Sequence, residues 1–363
     1  MATTLGTSVA VGALLVMAML PAASSALRLE RGAVLAGTVT ACQVGDFPGY
    51  PGYDPVTQEM YVPNEASANI TVLSGTCTVA GTITLPSGAE PIQAAFDPGD
   101  NYMFVTDNTL NQIYEISGTK IVRTITSAMV AGQFDGPFGI TYDPTFYSLL
   151  DAPVGAMFVT NGNGDSIAVV EPCPSGSYFG ECPSDGVMYY AAYTVGSAPE
   201  SIAYDPGDGD LWVTNSASNT VSAVDAFPYG IGKSTTVQTF PVGGDPGEVA
   251  IDLATGFVYV PDYSTNNVTV IEGSPAQDEF GSVIGSISGN GPAAAAWDQS
   301  TLQMFIVNYG NSKVFVVGGN SGLKIIDKQS TYSGWGAFGI AYDGANGDMY
   351  VTNFGNNEVY VLS

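Results

Sequence analysis

Residues 203–215 read AYDPGDGDLWVTN, with three aspartates in six positions ahead of a short apolar run. Taken alone, Asp205, Asp208 and Asp210 are oxygen donors suited to calcium. The stretch is not alone. GYPGYDPVTQEMYVPN ends at Asn64, IQAAFDPGDNYMFVTD at Asp107, and FGITYDP with FVTN at Asn161. ESIAYDPGDGDLWVTN ends at Asn215, GEVAIDLATGFVYVPD at Asp262, AAAAWDQSTLQMFIVN at Asn308 and FGIAYDGANGDMYVTN at Asn353. The turn aspartates Asp54, Asp97, Asp143, Asp205, Asp252, Asp298 and Asp343 are spaced by 43, 46, 62, 47, 46 and 45 residues. Repetition at this period decides the architecture before any single residue does.

Each copy reads as one small sheet. The IAYD run is a short strand, Asp-Pro-Gly-type chemistry turns the chain, and LWVTN pairs back on it. A Ser/Asn/Gly-rich turn leads to an alternating third strand, such as residues 220–225, and a fourth, such as 236–243. Such a sheet has two apolar faces and cannot hide both, so neighbours must stack. The expected fold is all-β: a seven-bladed β-propeller with four antiparallel strands per blade. It occupies residues 33–363, with repeats beginning near 48, 91, 137, 199, 246, 292 and 337. The last copy stops one strand short, and AVLAGTVTACQV at 33–44 looks like the missing strand. That N-terminal strand is expected to join the last blade and close the ring, leaving no open sheet edge.

The endings FVTN, WVTN and YVTN, with variants YVPN and YVPD, resemble the YVTN-type β-propeller repeat over about residues 33–363. The resemblance implies kinship with archaeal surface-layer and other exported propellers. Copies two (FVTD) and six (FIVN) depart from the pattern only mildly.

Composition narrows the function. Histidine is absent, which removes the catalytic triad and histidine-ligated zinc. Only 8 Lys and Arg accompany 34 Asp and Glu, for a net charge of -26. A nucleic-acid partner would be repelled. With so few bases, protonating the carboxylates leaves little self-repulsion, so the balance suits an acidic environment.

Residues 1–26 read as a secretory signal: Val9 to Leu20 is apolar, Pro21 breaks it, and small residues follow to Ala26. The rival reading is a retained membrane anchor, because Gly6 to Ala26 is about long enough to span and the start lacks Lys or Arg. Four cysteines suit an exported protein. Cys173 and Cys182 bracket a polar loop that could close on itself, which leaves Cys42 and Cys77 paired by elimination; four cysteines allow three connectivities. Asn69-Ile70-Thr71 and Asn267-Val268-Thr269 are glycosylation sequons.

The candidate chemistry is weighed against the repeat. The sister turns keep the first aspartate and drop most other acids, so Asp205 reads as a turn residue whose carboxylate accepts backbone N–H groups. Asp208 and Asp210 alone keep a small claim to calcium. Tyr61, Phe104, Phe158, Trp212, Tyr259, Phe305 and Tyr350 share one position, which suits blade-to-blade packing better than ligand stacking. Copy three carries eight extra residues between Asp143 and Phe158, which serve binding or are simply tolerated. No catalytic residue stands out. The expectation is a secreted or cell-surface module without catalysis, which binds a protein or glycan, associates with itself, or builds a surface layer. No nucleic acid is expected, and a membrane only if the N-terminal segment is retained. The alternative is a lactonase- or hydrolase-like enzyme using carboxylates, and a metal, in the central channel.

Overall fold

The computed structural model describes residues 38–146, 155–172, 187–225, 236–318, 323–330 and 336–363. Seven four-stranded antiparallel sheets follow one another along the chain. Blade 5 shows the plan: Ala250–Asp252, Phe257–Asp262, Asn267–Glu272 and Val283–Ser288, each paired with its predecessor. The first strand of each blade is innermost. These inner strands are Gly52–Asp54, Pro91–Asp97, Pro137–Asp143, Pro199–Tyr204, Ala250–Asp252, Pro292–Asp298 and Ala337–Asp343. The only helix among the described residues is a short 3-10 turn at Ser127–Val130. The seven-bladed propeller expected from the repeats is the fold observed.

Blade 7 takes three strands from the C-terminal end of the chain. Its fourth, outermost strand is Val39–Gln43, paired antiparallel with Glu358–Leu362 from Val39↔Leu362 to Gln43↔Glu358. The N-terminal strand therefore closes the ring. Cys42 on that strand is bonded to Cys77, in the hairpin between the two outer strands of blade 1, with Cα atoms 5.3 Å apart. The bond ties blade 7 to blade 1 across the one place where the ring is not continuous in sequence. Cys173 and Cys182, residues 1–26, the segment 33–37 and most of the copy-three extension lie outside the described residues.

The core lies between blades, as two-faced sheets require. One cluster joins Tyr61, Ile70 and Val72 of blade 1 to Ala94, Met103, Val105 and Tyr114 of blade 2. The shared aromatic position supplies its largest members: Tyr61, Phe104, Phe158, Trp212, Tyr259 and Phe305 are fully buried and Tyr350 nearly so. In two of the three copies where that residue is tyrosine, its hydroxyl reaches the next blade. Tyr61 donates to Gly118 O at 2.9 Å and Tyr350 to Gly75 O at 2.6 Å. Burying a ring of this size is worth a few kcal/mol, so a repeat that keeps it keeps its neighbours.

Every turn aspartate does the same work. Oδ1 accepts a backbone N–H two residues on: Val56 to Asp54, Gly99 to Asp97, Thr145 to Asp143, Gly207 to Asp205, Ala254 to Asp252, Ser300 to Asp298 and Ala345 to Asp343, all within 2.7–2.9 Å. This is the carboxylate-to-backbone turn that the recurring aspartate implied. The residue ending each motif is buried and anchors the next turn. Asn215 Nδ2 donates to Val213 O and Ser222 Oγ, while Asp262 Oδ2 accepts from Thr269.

Inner strands also touch. Gly247 runs so close to blade 6 that a Cβ there would lie 2.2 Å from Ala293 O. Gly247→Ala is therefore expected to cost about 1–3 kcal/mol through forced backbone displacement. A thermal melt unchanged from the parent would show that blades 5 and 6 can separate freely.

Candidate functional site

The third motif residue sets how each inner strand meets its neighbour. Threonine acts as a bridge. Thr106 Oγ1 accepts Gln93 N–H at 3.1 Å and donates to Phe138 O of blade 3 at 2.6 Å. Thr160 Oγ1 accepts Gly139 N–H at 2.7 Å and donates to Glu200 O of blade 4 at 3.1 Å. In blades 1 and 5 that residue is Pro63 or Pro261, with no hydroxyl to offer. There the inner strands make direct parallel contact instead: Tyr50 N–H to Ile92 O at 2.9 Å, and Glu248 N–H to Ala293 O at 2.9 Å.

The two proline blades also differ in sequence near the start of the inner strand. Blades 3 and 7 carry Phe-Gly at the start of the inner strand, Phe138-Gly139 and Phe338-Gly339. Blades 1 and 5 carry Gly49-Tyr50 and Gly247-Glu248 in the same register before the turn aspartate. Glycine at 339 is required sterically, since a Cβ would lie 2.8 Å from Gly49 O and 3.0 Å from Tyr50 Cα. That close approach sets Tyr50 against the start of the inner strand of blade 7.

The Tyr50 ring lies 4.7 Å from Phe338 and 6.2 Å from Phe138. Phe338 stacks on Phe354 at 4.2 Å, and Phe47 meets Phe354 edge-on at 5.6 Å. Glu248 of blade 5 lies close enough to blade 7 for the Ile340 backbone N–H to favour its ionised form, against the burial that raises it. It is 8% exposed, and its Oε2 has no hydrogen-bond partner. Gln93 and Ser201 make shorter versions of the same reach, accepting Ile140 N–H at 3.1 Å and Val249 N–H at 3.2 Å from the next blade.

These groups form an acidic, aromatic mouth where the inner strands begin. Burial pushes the Glu248 carboxyl up to about 8. Glu200 is pushed up to about 7 by burial and by the charge of Asp245, against a hydrogen bond from Ser216. Glu65 is also pushed up to about 7, by burial and then by Glu90. The Tyr50 hydroxyl is raised by burial and by the combined field of Glu200, Glu248, Glu65 and Asp245. No cation is among the charges acting on these four groups. Arg123 pairs with Glu115 at 3.1 Å in the outer strands of blade 2.

The expected calcium residues sit at the other end of the inner strands. Asp205 is committed to the Gly207 N–H, and Asp208 Oδ1 accepts the Asp210 N–H at 3.1 Å. Burial and then the charges of Asp205 and Asp225 push Asp208 up to about 6, and burial and then Asp208, Asp225 and Asp205 push Asp210 up to about 7. Among the described residues, no group of three or more His, Cys, Asp or Glu is placed to hold a metal ion. A cavity of about 280 Å³ opens at that end, lined by Tyr204, Ile251, Leu253, Trp297, Gln299 and Tyr342. Both sequon asparagines are half-buried and already bonded: Asn69 Oδ1 accepts from Asn64, and Asn267 Nδ2 donates to Asp262.

Reading the repeats as equals passes over Tyr50, Glu200 and Glu248. The signal that marks Tyr50 and Glu248 is a departure from copies three and seven: Gly-Tyr and Gly-Glu where those two have Phe-Gly, in the two copies that end in Pro-Asn or Pro-Asp; Glu200, in the copy that ends WVTN, carries no such mark.

No protein-family model matches the chain, and no curated protein matches it. Solved structures do. The chain is similar to selenomethionine-substituted virginiamycin B lyase from Staphylococcus aureus at 15% identity and TM-score 0.65, over 89% of this chain and 99% of that one. A streptogramin B lyase structure matches at 15% and 0.65, over 90% and 97%. A third is the S. aureus enzyme with quinupristin, in a catalytically inactive variant with a histidine replaced by alanine. It matches at 17% and 0.64, over 90% and 100%. At such identities the likeness is one of fold.

Proposed function

We propose that this protein is an exported β-propeller that binds a partner at the mouth of its channel and catalyses no reaction. The observation that carries this reading is the complete absence of histidine. A lyase of the same fold is catalytically inactive once a histidine is replaced by alanine, and this chain has no histidine anywhere with which to repeat such chemistry. The Cys42–Cys77 bond is consistent with an extracellular location, and no helix among the described residues is long and apolar enough to cross a membrane. A protein or glycan of the cell surface, or another copy of the chain in a layer, is the class of partner that fits. The test is turnover: purified protein given quinupristin and a panel of lactone esters, with and without divalent cations, is expected to convert none of them. Conversion of any substrate above the uncatalysed rate sinks the reading.

One observation favours an enzymatic alternative. A carboxyl pushed up to about 8, as Glu248 is, carries a proton at neutral pH and has the character of a general acid. Under that reading, turnover would be found and Glu248→Gln would abolish it.

A further inference from the structure

The residue ahead of the turn aspartate is aromatic in six copies: Tyr53, Phe96, Tyr142, Tyr204, Trp297 and Tyr342. Blade 5 alone carries an aliphatic there, Ile251. The cavity of about 280 Å³ opens at that break. Ile251 and Leu253 line it from blade 5, with Tyr204 of blade 4, Trp297 of blade 6 and Tyr342 of blade 7 around them. A side chain without a ring leaves room that a ring would fill. The three aromatics are half-buried, each resting on a core cluster while still lining the cavity. The Tyr204 hydroxyl meets Thr145 Oγ1 of blade 3 at 3.1 Å. The Tyr342 hydroxyl lies close enough to the blade 6 turn for Asp298 to help burial raise it. The rings are thus held in place before any ligand arrives. Gln299 and Leu253, both exposed, stand at the rim.

The chemistry of this wall selects a class of ligand. Among the described residues, no charged side chain lines the cavity, so an ionic ligand finds no counter-charge within it. An anion also meets the field of Asp143, Asp205, Asp298 and Asp343 at the two tyrosine hydroxyls. For a cation, the carboxylates of Asp205, Asp298 and Asp343 already accept N–H groups of their own turns. What remains is an uncharged ligand with two kinds of surface. Its C–H groups suit the ring faces, which carry partial negative charge, and its hydroxyls suit the Gln299 carboxamide, which both donates and accepts. A sugar ring has both surfaces. The volume lies at the lower end of the range for small-molecule sites, about 300–1,000 Å³, and suits one ring better than a chain.

We propose that the cavity bounded by Tyr204, Ile251, Trp297, Gln299 and Tyr342 binds a neutral sugar residue of a glycan. The C–H face of the sugar lies on the Trp297 and tyrosine rings, and its hydroxyls exchange hydrogen bonds with the Gln299 side chain. The site is at the opposite end of the inner strands from Tyr50 and Glu248. It goes beyond the non-catalytic reading given above and does not depend on it.

Titration of the full chain, followed by calorimetry and by tryptophan fluorescence, tests it. The probes are the methyl glycosides of glucose, galactose, mannose and N-acetylglucosamine, with glucuronate as a charged sugar and p-cresol as an apolar ring. Saturable binding of at least one neutral glycoside is expected, with glucuronate and p-cresol about tenfold weaker or absent. Ile251→Tyr gives blade 5 the side chain its neighbours carry; it is expected to fill the cavity and abolish binding. Trp297→Ala should weaken binding about tenfold, and Gln299→Ala about three- to tenfold. Val122→Ala, exposed on an outer strand of blade 2, leaves it unchanged. Gln299 is exposed, so its variant carries the test even if Ile251→Tyr unfolds. The proposal is overturned if no glycoside saturates, if p-cresol binds more tightly than every glycoside, or if binding survives Ile251→Tyr or Gln299→Ala undiminished. Any of these leaves the non-catalytic reading intact, because turnover is measured separately.

Discussion

A chain lacking Val39–Gln43 is expected to melt roughly 10 °C or more below the full-length protein and to lose a sharp transition. The strand supplies five register pairs to blade 7, from Val39↔Leu362 to Gln43↔Glu358. It also carries Cys42 into a cluster shared by blades 7 and 1, with Met60, Val62, Leu73, Tyr350, Val359 and Val361. Without it, Glu358–Leu362 becomes an open edge and that cluster loses a wall. The disulfide contributes separately. For a sequence separation of 35 residues, the chain-entropy model gives about 3–4 kcal/mol. Cys42→Ser with Cys77→Ser should therefore lower the melting temperature by about 5 °C and keep the transition cooperative. If the strand deletion melts like the parent, the ring does not depend on its seam, and the closure described here plays no part in stability.

The second large effect is a rise in stability as pH falls. Glu65, Glu200 and Asp210 are pushed up to about 7, Glu248 to about 8, and Asp208 and Asp262 to about 6, in each case mainly by burial. Asp298, with hydrogen bonds from Ser300 and Thr301, is the opposing case, lowered below its ordinary value. A carboxyl raised in the folded state holds its proton where the unfolded chain has released it. Between about pH 4 and pH 8 the native state therefore binds more protons, and unfolding free energy falls as pH rises. Glu248, nine-tenths buried, contributes on the order of 2–4 kcal/mol over that window, while the more exposed groups are screened and contribute less. The melting temperature is expected to be about 5–10 °C higher near pH 4.5 than near pH 8. Glu248→Gln should flatten part of that slope. A curve that is level, or that falls toward pH 4.5, contradicts the assignment.

The same slope gives the charge composition a physical sense. With only 8 bases in the chain, acid leaves little positive self-repulsion, and the carboxylates buried without cations gain from being protonated. An acidic environment is thus proposed on two grounds that do not depend on one another.

The blades were legible because their residues recur. A turn aspartate at each copy, an aromatic seven residues later in six of them, and a closing Asn or Asp are all local requirements, met inside one sheet or against the next. The closing strand was legible by subtraction, since the last copy lacks a fourth strand. The mouth was not. Tyr50 and Glu248 lie where copies disagree, and Glu248 lies close to Ile340 two blades on, a relation that appears only when the ring shuts. The disulfide was reachable only by elimination. What sets Cys42 beside Cys77 is the hairpin of blade 1 meeting the strand borrowed by blade 7.

Because Val39 pairs with Leu362 and Gln43 with Glu358, the outer two strands of blade 7 have their free ends on the same side. Tension applied between those ends would open the pairs one at a time, as a zipper opens, rather than shear them together. Only three pairs precede Cys42. Beyond that point the N-terminal side is held by a covalent bond to the hairpin of blade 1, and further extension has to come from peeling Glu358–Leu362 off Asp348–Asn353. A propeller gripped at its seam under load would yield by a few residues on one side and then only at the cost of its last strand.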